Sequence, residues 1–216
     1  MKRKSITPQL LALIGVLGPI LCITVFTLAG FLRPGYSPVS QAISDLGVGP
    51  NAWILNADLI ISGLLSIAFA IGFYQLMRPV ISKRWLLTST IFLMLSGAGV
   101  ANEGFFHQPS PGDPAAHLYI VLHGIGLSVL FYARIIALLI IGWHLWKIPA
   151  WRRYGWYSVI TALVTFGLLA IPEQVAVHNQ IVGLIERVQV IAAFSWSVVM
   201  GYHLFIRERA YENPPE

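Results

Sequence analysis

The chain has 216 residues, 56% of them apolar and only 11% charged. An average soluble domain carries roughly 25% charged residues, so there is too little polar material here to coat a water-soluble globule, and lipid is the expected solvent for much of the exterior. The net charge of +5 does not indicate nucleic acid, because the basic residues fall between apolar runs instead of gathering in one patch with stacking aromatics.

A transmembrane helix needs about 20 predominantly apolar residues, and the chain offers six such stretches in turn. The first, over 10–31, follows Met1-Lys2-Arg3-Lys4. It is too long for a signal peptide and no A-x-A cleavage site follows, so it reads as a retained helix. It contains Cys22, the single cysteine, which excludes an internal disulfide or a thiolate metal cluster and reads as a small core residue. The segment from Ser37 to Gly47 is polar and amphipathic, and fits either a short interfacial helix with Val39, Ile43 and Leu46 buried or an ordinary re-entry loop. Further helices are expected over 53–77, 85–102, 118–146, 157–171 (the shortest) and 181–205. The fold class is therefore all-α: one transmembrane domain, a polytopic bundle of six helices.

Helices two, four and six close on similar text: Gly72-Phe73-Tyr74-Gln75-Leu76-Met77, Gly142-Trp143-His144-Leu145-Trp146 and Gly201-Tyr202-His203-Leu204-Phe205. This suggests three repeated helical hairpins, although aromatic belts at membrane interfaces produce similar text. Lys2–Lys4, then Arg78, Lys83 and Arg84, then Lys147, Arg152 and Arg153, then Arg207 and Arg209 occupy alternate connections, whereas the intervening ones hold only Arg33. Basic loops stay inside. Both termini are expected in the cytoplasm, with the plasma membrane as the location.

The acids and several histidines gather toward the opposite, outward end. Asp58, His123, Glu186 and Arg187 each lie roughly 8–12 Å inside a helix end at about 1.5 Å per residue, and Arg134 lies deeper. Charges at such depth cost at least about 2.5–3.5 kcal/mol on insertion scales and are expected to face the bundle interior with partners. Arg134 is expected to pair with Glu186 or Asp58, and an ion-pair network that only fixes helix packing would account for these residues equally well. A carboxylate and an imidazole at one depth are the parts for acid–base chemistry, metal binding or proton relay. Asp58, His123, Asp45 and His117 are the candidate catalytic set; Arg134, Glu186, Arg187, Ser44 and Glu103 are the candidate substrate-binding set. Gly63, Gly124 and Gly126 are expected to let helices approach beneath the site. No metal signature is complete: HExxH, CxxC, HxxxH, the G-x-S-x-G elbow and the Walker loop are all missing, so no metal or cofactor is assigned.

Tyr36-Ser37-Pro38-Val39-Ser40, running into Ile43-Ser44-Asp45-Leu46-Gly47 and then Trp53 and Asn56, resembles the bacterial and archaeal membrane family known as domain-of-unknown-function family 998. A second match is Gly104-x-Phe106 followed by Asp113-Pro114 and the histidine of Leu122-His123-Gly124. Where the family commonly has proline after Gly-x-Phe, His107 stands here. The resemblance implies six helices and an important outer face, and no activity. Three function classes stay open from sequence: an enzyme acting on a membrane lipid or lipid-linked head group, with a phosphate held by Arg187 or Arg134; a small proton-coupled carrier; and a non-catalytic partner or sensor.

Overall fold

The computed structural model describes residues 8–109 and 114–212. Lys2, Arg3, Lys4 and Asp113 lie outside the described residues. Seven α-helices appear: α1 (Pro8–Leu32), α2 (Ala52–Met77), α3 (Lys83–Phe105), α4 (Ala116–Trp146), α5 (Arg152–Leu169), α6 (Glu173–His178) and α7 (Val182–Glu212). Two 3-10 turns, Ser44–Gly47 and Pro149–Trp151, complete the elements, and no strand occurs among the described residues. Turn chemistry punctuates the helices. Gly35 and Gly49 adopt φ of 75° and 80°, a region glycine enters without steric cost, and Asn51 at 61° opens α2.

Among the described residues five helices are long and apolar enough to cross a membrane: α1 to α4 and the Val182–Arg207 part of α7. This is a multi-pass membrane protein. The expected sixth crossing is not among the five. Its place is taken by α5, which has 18 residues and opens with Arg152 and Arg153. At 1.5 Å per residue it is about 27 Å long, just under the roughly 30 Å of a hydrocarbon core.

The long helices form a ring in chain order. Each packs on its sequence neighbour, α5 meets α7, and α7 closes on α1. Large apolar side chains such as Leu17, Leu64, Leu163 and Trp143 point outward around this ring, as expected where lipid is the surroundings. Between α2 and α3 the backbones touch. A Cβ on Gly63 would sit 2.6 Å from the Gly97 carbonyl oxygen, and one on Gly97 would sit 2.9 Å from that of Gly63. Gly124, expected in the same role, instead faces open space, because its side of α4 points away from α3.

The half of the bundle toward Arg84 is a continuous apolar core. Phe69, Phe73 and Trp196 pack ring on ring, with centroids 5.5–6.3 Å apart, among Met77, Leu86, Leu138, Ile141, Leu145 and Met200. The Trp196 indole N–H donates to Ser158 Oγ at 2.8 Å.

Arg134 is 3% exposed near the middle of α4. The expected ion pair with Glu186 or Asp58 is not formed. Nε donates to Ser96 Oγ at 3.1 Å, and Nη1 donates to Ser197 Oγ at 3.0 Å and to the Ala193 carbonyl at 3.3 Å. The guanidinium also lies 4.9 Å from the Phe194 ring centroid. The Arg134 fork therefore ties α3, α4 and α7 together through neutral acceptors, without a second buried charge. This bridge matters because α4 and α7 pack on each other scarcely at all.

An Arg134→Lys change keeps the charge and loses the fork. It should lower stability by about 1.5–3 kcal/mol, the worth of a hydrogen bond to a charged group. Thermal unfolding in detergent should also show coupling between Arg134→Leu and Ser197→Ala, and none between Arg134→Leu and Glu186→Gln.

Candidate functional site: a mostly apolar cavity at the Asp45 end

The end of the bundle bearing Asp45 holds a small cavity of about 50 Å3 between α1, α2, α3, α4 and α7. Its walls are mostly apolar, with Phe26, Ile43, Leu55, Val100 and Phe194 among them. Set into these walls are Ser44, Asn56, Glu103, His107, His123 and Glu186.

The central contact joins α3 to α4. His123 Nδ1 lies 2.8 Å from Glu103 Oε2 and 3.0 Å from the Phe106 carbonyl oxygen. Both neighbours are acceptors, so Nδ1 carries a proton and donates it to them. In the neutral ring the lone pair is then on Nε2, the tautomer a carboxylate imposes on a catalytic histidine. Nε2 is buried and has no hydrogen-bond partner, and the same is true of Glu103 Oε1 and Asn56 Oδ1. The Asn56 amide is oriented by its Nδ2, which donates to the Gly47 carbonyl at 3.1 Å. Buried polar atoms without partners are rare, and three belong to residues that line this one cavity.

Glycine makes room for the pair. A Cβ on Gly126, one turn beyond His123, would collide with the Glu103 carboxylate and the Asn102 amide. Asn102 Nδ2 donates to the Leu122 carbonyl at 2.8 Å, a second tie between α3 and α4 beside the pair.

The segment before α2 closes the cavity and is fastened from two sides. Arg33 Nη1 donates to the carbonyls of Asp45 (2.8 Å) and Val48 (2.6 Å). From α7, Glu186 Oε2 accepts the Ile43 N–H at 2.5 Å, and the Leu184 N–H donates to the Val39 carbonyl at 2.9 Å. Arg187 donates to Tyr36 Oη at 2.5 Å and to the carbonyls of Gln41 and Gly183 at 3.2 and 2.9 Å. Burial pushes the Tyr36 phenol above its ordinary range, with Arg187 opposing the shift, so the hydroxyl stays protonated and donates to the Ala42 carbonyl at 2.7 Å. Ile43 and Leu46 are buried as expected, whereas Val39 is 47% exposed. Only the 3-10 turn Ser44–Gly47 is helical, because Tyr36 and Arg187 occupy the carbonyls a longer helix would use.

Of the candidate residues, His123, Glu103, Glu186 and Ser44 meet at the cavity. Asp58 does not line it. Two positions beyond Asn56, it is turned about 200° round α2, where it accepts from Ser62 Oγ at 3.4 Å. Asp45 is occupied in accepting the Ala42 N–H at 3.0 Å. His117 is exposed in the first turn of α4. Arg134 and Arg187 do not line it, and both donate to the protein's own acceptors, as described above. The carboxylate partner of His123 is thus Glu103, not Asp58. Sequence reasoning passed over Asn56 and His107 as site residues, although both stood in or beside the motifs it quoted. Among the described residues no three His, Cys, Asp or Glu side chains are grouped to hold a metal ion.

The chain belongs to the family described as "Protein of unknown function (DUF998)", whose model matches residues 16–203. No curated protein and no solved structure matches it. Tyr36 to Asn56 and Glu103 to His123 both fall inside the matched span.

Gly126→Val should drive Glu103 away from His123 or part α3 from α4. Overpacking of this kind costs about 1–3 kcal/mol, readable as a lower unfolding temperature. Gly124→Ala, where a Cβ meets nothing, should leave that temperature unchanged.

Proposed function

We propose that this protein is a membrane enzyme acting on a lipid or lipid-linked head group at the extracytoplasmic side, with His123 as its general base. The observation that carries the reading is the buried, unpartnered Nε2 of His123, whose ring is set by Glu103 through Nδ1. A water or hydroxyl within hydrogen-bond reach of Nε2 in the cavity would give its proton to Nε2. Glu103, as the positioning residue, would stabilise the imidazolium that results, and the proton would later pass from Nε2 to the leaving group. A positioned base of this kind contributes about 10²–10⁴-fold in rate.

The side assignment rests on the basic residues. Arg78, Lys83, Arg84, Lys147, Arg152, Arg153 and Arg207 all sit at the end away from Asp45, which supports six crossings with α5 as the fifth and both termini in the cytoplasm. A plasma-membrane location goes with that orientation. A carrier would need a polar path through the whole bundle. The packed apolar core beneath Arg134 argues against one.

Deletion followed by lipid profiling tests the reading. An altered lipid should return to its normal level with the parent chain and with Asp58→Asn, but not with His123→Ala or Glu103→Gln at equal protein levels. Rescue by His123→Ala would defeat the proposal. In intact cells, a cysteine placed at position 45 should react with an impermeant maleimide and one at position 152 should not; the reverse would overturn the orientation.

A further inference from the structure

We infer that the gap between α4 and α7 is a side entrance from the bilayer, and that it admits a lipid presenting a hydrogen-bond donor, a hydroxyl or an amine, to His123. This rests on the enzyme reading above and narrows its substrate.

The gap exists because α5 is short. Gln189 Nε2 donates to the Leu168 carbonyl at 3.0 Å, at the very end of α5. Gln189 is seven residues into α7, so α5 stops about 10 Å short of the level where α7 begins. Over that height α4 and α7 face each other across a groove of about 350 Å3, which Ile171 and Ala176 of the α5–α7 connection also line, within the roughly 300–1,000 Å3 range of small-molecule sites. Leu169, Ile185 and Phe131 give it apolar walls, and exposed Ser128 and Tyr132 mark its outer rim. His123, Ser44 and Glu186 line both this groove and the inner cavity, so the groove leads to the base. In a membrane the occupant of such a lateral groove is an acyl chain.

The head group is defined by what waits inside. The unpartnered atoms are Nε2 of His123 and Oδ1 of Asn56, with Oε1 of Glu103 turned toward Gly126 and the Asn102 amide. In the neutral-ring state all three accept hydrogen bonds and none donates. No lysine or arginine lines either space among the described residues, and Arg134 and Arg187 are committed elsewhere. A phosphate would face Glu103 and Glu186 with no lysine or arginine to offset it. A hydroxyl or amine meets the acceptors directly. The volume agrees: about 50 Å3 holds roughly three to five waters at about 10–15 Å3 each, enough for the end of a long-chain alcohol or amine.

The test uses the full chain in phosphatidylcholine nanodiscs with a diazirine-bearing C16 primary alcohol, crosslinked by light and mapped by mass spectrometry. Crosslinks should concentrate on residues 127–132 and 185–189. Unlabelled hexadecanol and hexadecylamine should compete at least about tenfold better than hexadecyl phosphate, a difference of about 1.4 kcal/mol. Ser128→Trp, at an exposed rim position, should reduce groove crosslinks several-fold while the unfolding temperature holds. Equal competition by the phosphate, or crosslinks no denser here than around Leu64 on the lipid-facing side of α2, would overturn the inference. Groove crosslinks that meet these expectations, in a protein whose deletion leaves the lipid profile unchanged, would support the entrance and count against the enzyme reading alone.

Discussion

In hydrocarbon a polar atom without a partner costs several kcal/mol, and that cost organises this bundle. Arg134 shows it met. The guanidinium is the deepest charge in the chain, and the two helices that face it, α3 and α7, supply two hydroxyls, a carbonyl and an aromatic face. His123 shows it left open on one side. Glu103 and the Phe106 carbonyl satisfy Nδ1, while Nε2 faces a cavity with no partner from the protein. Three of the buried atoms left without partners, His123 Nε2 among them, belong to residues that line this one cavity.

The arginines at the Asp45 end act as fasteners. Arg33 and Arg187 both spend their N–H groups on backbone carbonyls of the segment that covers the cavity, and Glu186 takes one of its N–H groups. This accounts for a basic residue in a connection that otherwise has none. It also explains why the cavity beneath is acceptor-rich: the donors were used to build its roof. Below, the Phe69–Phe73–Trp196 cluster leaves chemistry only one half of the bundle in which to occur.

Much of the fold was legible because lipid exposure makes apolar length a direct signal. The spans expected at 10–31, 53–77, 85–102 and 118–146 each fall within a long helix, and the one at 181–205 starts one residue before α7. The stretch at 157–171 was harder, since α5 begins at Arg152 and is not among the helices long and apolar enough to cross. The short α6 at Glu173–His178 was read as loop, since six residues cannot show a helical period. His123 and Glu186 were found because buried charge is conspicuous in an apolar run. The partner of His123 was misjudged because depth was counted from helix ends. Glu103 is two residues from the end of α3 and His123 seven from the start of α4, yet α4 extends farther out and brings the two level. Asp58 had the right depth on the wrong face of α2. Arg134 was expected to need a carboxylate, and hydroxyls on two other helices, invisible to any pattern along one, served instead.

The account turns on where the proton of His123 sits. Nitrogen-15 NMR of the histidine-labelled chain in nanodiscs, with the His123 signals assigned by their loss in His123→Ala, reads this directly. At a pH where the ring is neutral, the Glu103 contact predicts a protonated Nδ1 and a bare Nε2, with the preference weakened in Glu103→Gln. A ring protonated on Nε2 with Nδ1 bare would contradict the Glu103–His123 geometry and, with it, the assignment of His123 as the base.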